Sequence, residues 1–533
     1  MRPSRSSVLL LLAVAALPRV SAAQRFDVME ATIADAHGAM AARRLTCRQL
    51  VQAYLDRIAA YDKQGPALNA IQTVNPRALA EADSLDAVMR AARGRPRGSL
   101  HCVPVLLKDQ VETRDMPTTY GSVLFKDFVP SRDATIVTRL EQAGAIILAK
   151  ATMGEFASRY LSSAAGVLHN AYDPKRHPSG SSGGTGAGVA ANFGLVGIGE
   201  DTGGSIRGPA AVHSLVGLRP TLPLVSRYGM LPANPTQDTM GPMTRTVADA
   251  ARVLDVIAGY DPNDPVTAYT VGQVPRSYTA ALKADALRGA RIGVLRSRRD
   301  SVSRTDTAAV RRDSVDRSEF AKVTPVFEHA LAELRAQGAV IVDSLRVPVI
   351  PGRRVDNDFE TEEATDRYLA QHPNAPYKSL KEILLAGGVT PTRARSLMAY
   401  VNRSTSDADY GAVMRYREAL RVALLKMMAD ERLDALVYAT YDAPPAVIPA
   451  DALTNARVVD YYGRGDNRGL CPLLAWPAIT VPMGFTAEGL PAGLELLGRP
   501  FSEPQLLGLA YAYEQATKHR RPPGTTPGLG TRD

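Results

Sequence analysis

The chain has 533 residues, of which 45% are hydrophobic and 22% charged, and a formal net charge of +9. This is globular composition with material for one large core or two smaller ones. The basic surplus is modest and dispersed, with small clusters near Arg296 to Arg299 and Lys518 to Arg521, which describes a solvated surface rather than a nucleic-acid site.

At the N-terminus Arg2 and Arg5 precede an apolar run over 8–16, and the small residues Ser21, Ala22 and Ala23 follow. A basic region, a short apolar region and a small-residue site describe an export signal. Cleavage after Ala23 gives a mature start at Gln24 and removes Arg2, Arg5 and Arg19 but no acid, so the net charge falls from +9 to +6. The run is shorter than the about 20 residues a spanning helix needs. No cysteine follows it, so no lipid anchor is expected, and no later segment reads as transmembrane. Residues 27–100 read as helical. Leu50, Val51, Tyr54, Leu55 and Ile58 fall at helical spacing behind the N-cap candidate Thr46, and a second helix is expected over 76–92.

Strand signals then begin. Short apolar runs occupy 103–107, 145–148 and 195–198, the second preceded by a helix starting near Ala134. Lys108 ends the first run, Lys150 the second, and Glu200 and Asp201 the third. Further strands are expected at 291–295, 339–342, 435–438, 478–481 and 493–497. Alternating helices and short apolar strands argue for an α/β fold with a mixed or parallel sheet. The stretch 296–318 is polar and reads as a surface insertion or linker. Residues 350–460 are more helical and suit a substrate cap. Cys47, Cys102 and Cys471 cannot all pair, and their spacing shows neither a disulfide framework nor a metal signature. One disulfide is compatible with an oxidising compartment, but buried free thiols are the expected state.

The most informative stretch is 179–209, where two Gly/Ser-rich turns flank one apolar run. Without Cβ atoms, backbone N–H groups can crowd around an anion or a developing oxyanion. The first turn, Gly180-Ser181-Ser182-Gly183-Gly184, leads into an expected helix over 186–192. The second, Asp201-Thr202-Gly203-Gly204-Ser205, follows the strand. No lysine completes a phosphate-binding loop, and Ser205-Ile206-Arg207-Gly208 does not fit a lipase-type elbow. His101, His177 and His213 lie near these motifs, but each is expected to be structural or on the surface. No zinc-peptidase motif occurs.

GSSGG at 180–184 and DTGGSIRGPA at 201–210 resemble the two halves of the amidase signature. VPVLLKDQVETRDMPTTYGS at 103–122 resembles the lysine segment of that family, and 241–251 and 477–501 also follow its pattern. The resemblance covers about 30–260 and 465–520. It implies the amidase signature fold, a central mixed sheet flanked by helices on both faces. Residues 24–533 are then expected to form one amidase domain, with an N-terminal helical region (24–100), a catalytic signature core (101–260), the polar insertion (296–318) and the cap region (350–460). Carried over, the catalytic lysine falls on Lys108, the bridging serine on Ser181 and the nucleophile on Ser205. The oxyanion hole falls on the backbone N–H groups of Thr202, Gly203, Gly204 and Ser205. The bond before the bridging serine is cis in this family. Two positions depart from the pattern. Glu200 stands where a small residue or Thr is commoner, and is expected to affect packing only. Met153-Gly154-Glu155-Phe156 replaces a turn that often contains Asn.

A lysine at its reference pKa of about 10.4 is protonated and a poor base. Burial away from acids lowers that value and yields the amine. Asp109 is therefore expected to point away from Lys108. Ser205 would attack a carboxamide, the N–H cluster would hold the oxyanion, and Ser181 would pass a proton to the leaving amine. No cofactor or metal is called for. Arg207 reads as one half of a buried structural ion pair rather than a substrate clamp. The expected protein is a periplasmic or secreted amidase acting on a small-molecule amide, with no nucleic-acid partner and no stable membrane anchor after cleavage. An esterase or lipid amide hydrolase is the alternative hydrolase. The amidotransferase component that acts on misacylated transfer RNA, or a non-catalytic binding relative, would be of another class.

Overall fold

The computed structural model describes residues 26–296, 307–351, 357–458 and 467–530. The expected export signal and its cleavage site lie outside the described residues. In chain order the elements are α1 (Ile33–Ala41), α2 (Cys47–Tyr61), β1 (Ile71–Val74), α3 (Ala78–Ala91), β2 (Pro104–Lys108), α4 (Thr135–Gln142), β3 (Ile146–Ala151) and the small hairpin β4 (Leu161–Ser162) and β5 (Gly166–Val167). The signature region adds α5 (Gly183–Ala190), β6 (Val196–Asp201), α6 (Arg207–Ala211), β7 (Val216–Arg219), β8 (Thr239–Thr244) and α7 (Val247–Ile257). The C-terminal half adds β9 (Arg291–Leu295), α8 (Thr307–Ala336), β10 (Val340–Leu345), α9 (Thr361–Ala370), α10 (Leu380–Ala386), α11 (Pro391–Met398) and α12 (Ala408–Asp430). It closes with β11 (Ala435–Ala439), α13 (Leu470–Leu474), β12 (Ala478–Phe485), β13 (Pro491–Leu497) and α14 (Glu503–Thr517).

Eleven strands form one mixed sheet in the order β1-β3-β2-β6-β8-β7-β12-β13-β11-β9-β10. β2 runs parallel to both β3 and β6, while β8 is antiparallel to β6. Every residue of β2, β3, β6 and β13 is buried. Successive side chains of a strand point to opposite faces, so complete burial requires cover on both. Among the covering helices, α5 packs on β2 and β6, α7 on β8, and α14 on β12. The edge strands β1 and β10 are only partly covered.

The N-terminal helices arise where the spacing places them. Thr46 caps α2 in a capping box with Gln49, which satisfies free N–H groups of the first turn. The region is not wholly helical, because Ile71–Val74 joins the sheet edge against β3. The polar stretch also differs from the expectation. Residues from Thr307 onward belong to α8, whereas 297–306 lie outside the described residues. The free-thiol expectation is corrected for two cysteines. The first turn of α2 packs beside the segment leading into β2, bringing Cys47 and Cys102 to a Cα separation of 5.4 Å, where they form a disulfide. Cys471 is free and buried, and burial pushes its thiol up to about 12.

Candidate active site

Lys108 and Asp201 are the last residues of the parallel neighbours β2 and β6, so the two strands deliver their ends to one edge of the sheet. The first Gly/Ser turn enters α5 beside them. Ser181 follows a cis peptide bond after Gly180, as the family resemblance implies. A Cβ on Gly180 would stand 1.6 Å from the Arg159 carbonyl oxygen, so no other residue fits this backbone path.

Lys108 Nζ donates to Ser181 Oγ at 2.7 Å, and both side chains are buried. Ser205 lies on the turn between β6 and α6 and is partly exposed, which leaves its hydroxyl within reach of an incoming group. Among the described residues Ser205 makes no hydrogen bond to Ser181. Gly204 adopts a φ of +121°, and a Cβ there would lie 2.5 Å from Cδ of Arg468. Arg468 in turn stacks on Tyr441 at 4.0 Å, and Tyr441 shares a hydrogen bond with Ser179 at 2.5 Å. The two turns are thus held against each other by side chains from the C-terminal third of the chain.

Asp201 organises the second turn. Its carboxylate accepts from the Gly204 N–H at 2.7 Å and the Ile206 N–H at 3.1 Å. The Gly204 N–H, one of the four donors expected to form the oxyanion hole, is thus engaged by Asp201. Burial would raise the Asp201 carboxyl, but the charges of Arg207 and Arg219 outweigh it and hold the group below the usual carboxylate range. Arg207 also pairs with the buried Glu495. The guanidinium is fully buried between the two acids, as expected of a structural ion pair.

The surroundings of Lys108 differ from the expectation in one respect. Asp109 does point away, accepting from the Thr119 N–H at 3.0 Å and facing Lys150 at 3.7 Å. Glu200, however, is not a packing residue. Its Oε2 lies 2.7 Å from Lys108 Nζ, with both side chains 0% exposed, so the lysine is buried beside an acid rather than away from one. Burial drives the Lys108 ammonium down, opposed first by the charge of Glu200 and then by its hydrogen bond, and the net shift is downward. Thr202 Oγ1 donates to the other Glu200 oxygen at 2.7 Å. Asp238, just ahead of β8, is buried nearby. Burial and the Glu200 charge push it up to about 7. The sequence marked Glu200 as a departure, but nothing in it singled out Asp238, Arg468 or Tyr441.

The three histidines near the motifs are buried and bonded away from the triad positions. His213, for example, bonds the Pro209 carbonyl and accepts from the Ala171 N–H. Met153 and Phe156, from the variant turn, border a small pocket with Gln110, Leu231 and Leu397. Glu155 of that turn accepts from the Thr390 N–H at 2.7 Å, fastening it to the start of α11. Among the described residues no three His, Cys, Asp or Glu side chains gather as a metal site.

The sequence profile of the amidase family matches residues 49–507. The chain belongs to the amidase family. A probable amidase of Arabidopsis thaliana is 31% identical over 96% of this chain and 95% of its own length. A glutamyl-tRNA(Gln) amidotransferase component of Thermosynechococcus vestitus is 35% identical over 92% and 99%. Among solved structures, the native peptide amidase of Stenotrophomonas maltophilia is 36% identical, with a TM-score of 0.77 over 93% of this chain and 99% of that one. An amidase family protein of Bacillus anthracis is 32% identical, with a TM-score of 0.78 over 93% and 92%. The mixed sheet with helices on both faces is the amidase signature fold, and the protein is an amidase that hydrolyses C–N bonds.

Proposed function

We propose that this amidase cleaves a carboxamide through an acyl-enzyme on Ser205, outside the cytoplasm. The observation that carries the reading is the buried 2.7 Å contact of Lys108 with Ser181, at the strand edge where the Ser205 turn emerges. Ser205 Oγ attacks the carbonyl carbon as its proton passes to Ser181, whose own proton passes to Lys108. The oxyanion is held by backbone N–H groups of the Thr202 to Ser205 turn. As the C–N bond breaks, Ser181 protonates the leaving amine and is reprotonated by Lys108. Water then repeats the cycle and frees the acid. The helices α9, α10 and α11 place Tyr368, Leu380 and Leu397 in one apolar cluster with Tyr120, Phe125 and Phe156, which supports a substrate cap built from this region.

The Cys47–Cys102 disulfide and the basic-apolar N-terminus support export, since disulfides persist in oxidising compartments. A fluorophosphonate probe tests the nucleophile. Label is expected on the Ser205 peptide, and label elsewhere with Ser205 unmodified rejects the reading. N-terminal sequencing of protein from the native host tests export. A start at Gln24 is expected, and a retained Met1 in the cytoplasmic fraction contradicts it.

A further inference from the structure

The triad reading leaves Glu200 without a task, yet this carboxylate is the nearest acid to Lys108. It is fully buried, accepts from Nζ at 2.7 Å through Oε2, and accepts from Thr202 at 2.7 Å through Oε1. Its backbone carbonyl also accepts from Ser182 Oγ at 3.1 Å. The carboxylate is therefore oriented on both oxygens, with one aimed at the ammonium.

We propose, resting on the triad reading above, that Glu200 is the proton-holding partner of Lys108, so that the general base of this amidase is a Lys–Glu pair. The pair carries one proton at working pH. As ammonium and carboxylate it cannot accept the Ser181 proton. Transfer of that proton from Nζ to Oε2 gives the neutral amine and the neutral acid without any proton leaving the site. A buried setting favours this neutral form, because both charges of the alternative lack water. When Ser205 forms its bond to the carbonyl carbon, its proton moves to Ser181 and the Ser181 proton moves to Lys108, giving ammonium and neutral Glu200. When the C–N bond breaks, the ammonium returns its proton through Ser181 to the leaving nitrogen. Proton count and charge are restored in each half-reaction. Glu200 touches no reacting atom and acts only through Lys108, as a positioning residue.

The other charged groups around the pair fit this arrangement. Asp201, on the same strand as Glu200, is held by Arg207 and Arg219. Lys150, on the far side of β2, faces Asp109. Asp238 is the remaining acid near Glu200. Burial pushes its carboxyl up, and the charge of Glu200 pushes it further only while Glu200 is ionised.

The test is the pH profile of kcat/KM for the wild type, Glu200→Gln, Glu200→Thr and Lys108→Met. In the wild type the acid limb belongs to the Lys108–Glu200 pair as a unit and should lie below the limb of either Glu200 variant. In Glu200→Gln and Glu200→Thr the lysine must release its proton to bulk water. The limb should move alkaline by about one unit or more, with the alkaline plateau recovered to within about tenfold. A limb that moves acidic shows that Glu200 only stabilised the ammonium, and overturns the proposal. An unmoved limb on a uniformly lowered profile shows a structural role and also overturns it. If one of the two Glu200 variants does not fold, the limb of the other decides. Full activity of Lys108→Met rejects the triad reading itself, which separates that failure from failure of the Glu200 proposal.

Discussion

Replacing Arg207 with Met separates an architectural role from a substrate clamp. The guanidinium donates to Asp201 Oδ2 at 3.1 Å and to the Arg468 carbonyl at 3.0 Å, and it pairs with Glu495, with no solvent exposure. Methionine keeps much of the apolar stem and removes every one of these bonds. Breaking a buried pair by removing one partner costs about 3–5 kcal/mol. Two features place this case toward the lower end. Arg219 still faces Asp201 at 3.2 Å, and burial already raises the Glu495 carboxyl, easing its protonation. We therefore expect a loss of about 3 kcal/mol, read from urea unfolding at unchanged m-value. Asp201 also holds the Gly204 and Ile206 N–H groups on either side of Ser205. A turn loosened by a fraction of an ångström should lower kcat by about tenfold to a hundredfold. KM for a neutral anilide should stay within about threefold. A stability change under about 1 kcal/mol, with KM raised tenfold or more, would refute the structural reading and restore the clamp.

Gly180→Ala would drive a Cβ into the Arg159 carbonyl 1.6 Å away. Soluble protein of this variant should have displaced Ser181 and lost about a hundredfold in kcat or more, and near-normal turnover would show that the loop accommodates a side chain. The Cys47–Cys102 bridge spans 55 residues of chain, so the double Ser variant should lose about 2–4 kcal/mol, with the linked peptide visible by mass spectrometry in the unreduced wild type. His213 is fully buried, and burial pushes it down to about 3, against about 6.5 when unfolded. Its contribution is complete above pH 6.5 and is lost as pH falls toward 3, on the order of 5 kcal/mol over the whole window. Thermal midpoints measured from pH 7 to pH 4 should fall less steeply in His213→Gln than in the wild type, and equal slopes would contradict the buried neutral ring.

Much of the sheet was legible because its strands are short apolar runs. The run at Arg291–Leu295 coincides with β9, and those at 435–438, 478–481 and 493–497 lie within β11, β12 and β13. The strands that escaped notice lack that signal. β8 reads Thr-Met-Gly-Pro-Met-Thr, and β7 is only four residues long; both exist through pairing with β6 and β12. At the site, Lys108, Ser181 and Ser205 stood out because their motifs are long and ordered. Lys108 and Glu200 are 92 residues apart, and the order of strands that puts β2 beside β6 is a tertiary fact no local pattern encodes. The same holds for Cys47 and Cys102, whose spacing carries no framework. The thiols meet because α2 packs beside the segment leading into β2.

The central claim is that an acyl group is carried by Ser205, and the direct measurement is turnover of a chromogenic anilide by correctly folded Ser205→Ala. The account predicts no detectable release of the aniline above background. Lys108→Ala should come close to that loss, and Ser181→Ala should be severe. The losses in the double variants should not add, each double variant being no worse than Ser205→Ala alone, because the three groups act as a unit. A folded Ser205→Ala enzyme that hydrolyses the anilide at the wild-type rate would contradict the account, since no acyl-Ser205 intermediate could then lie on its path.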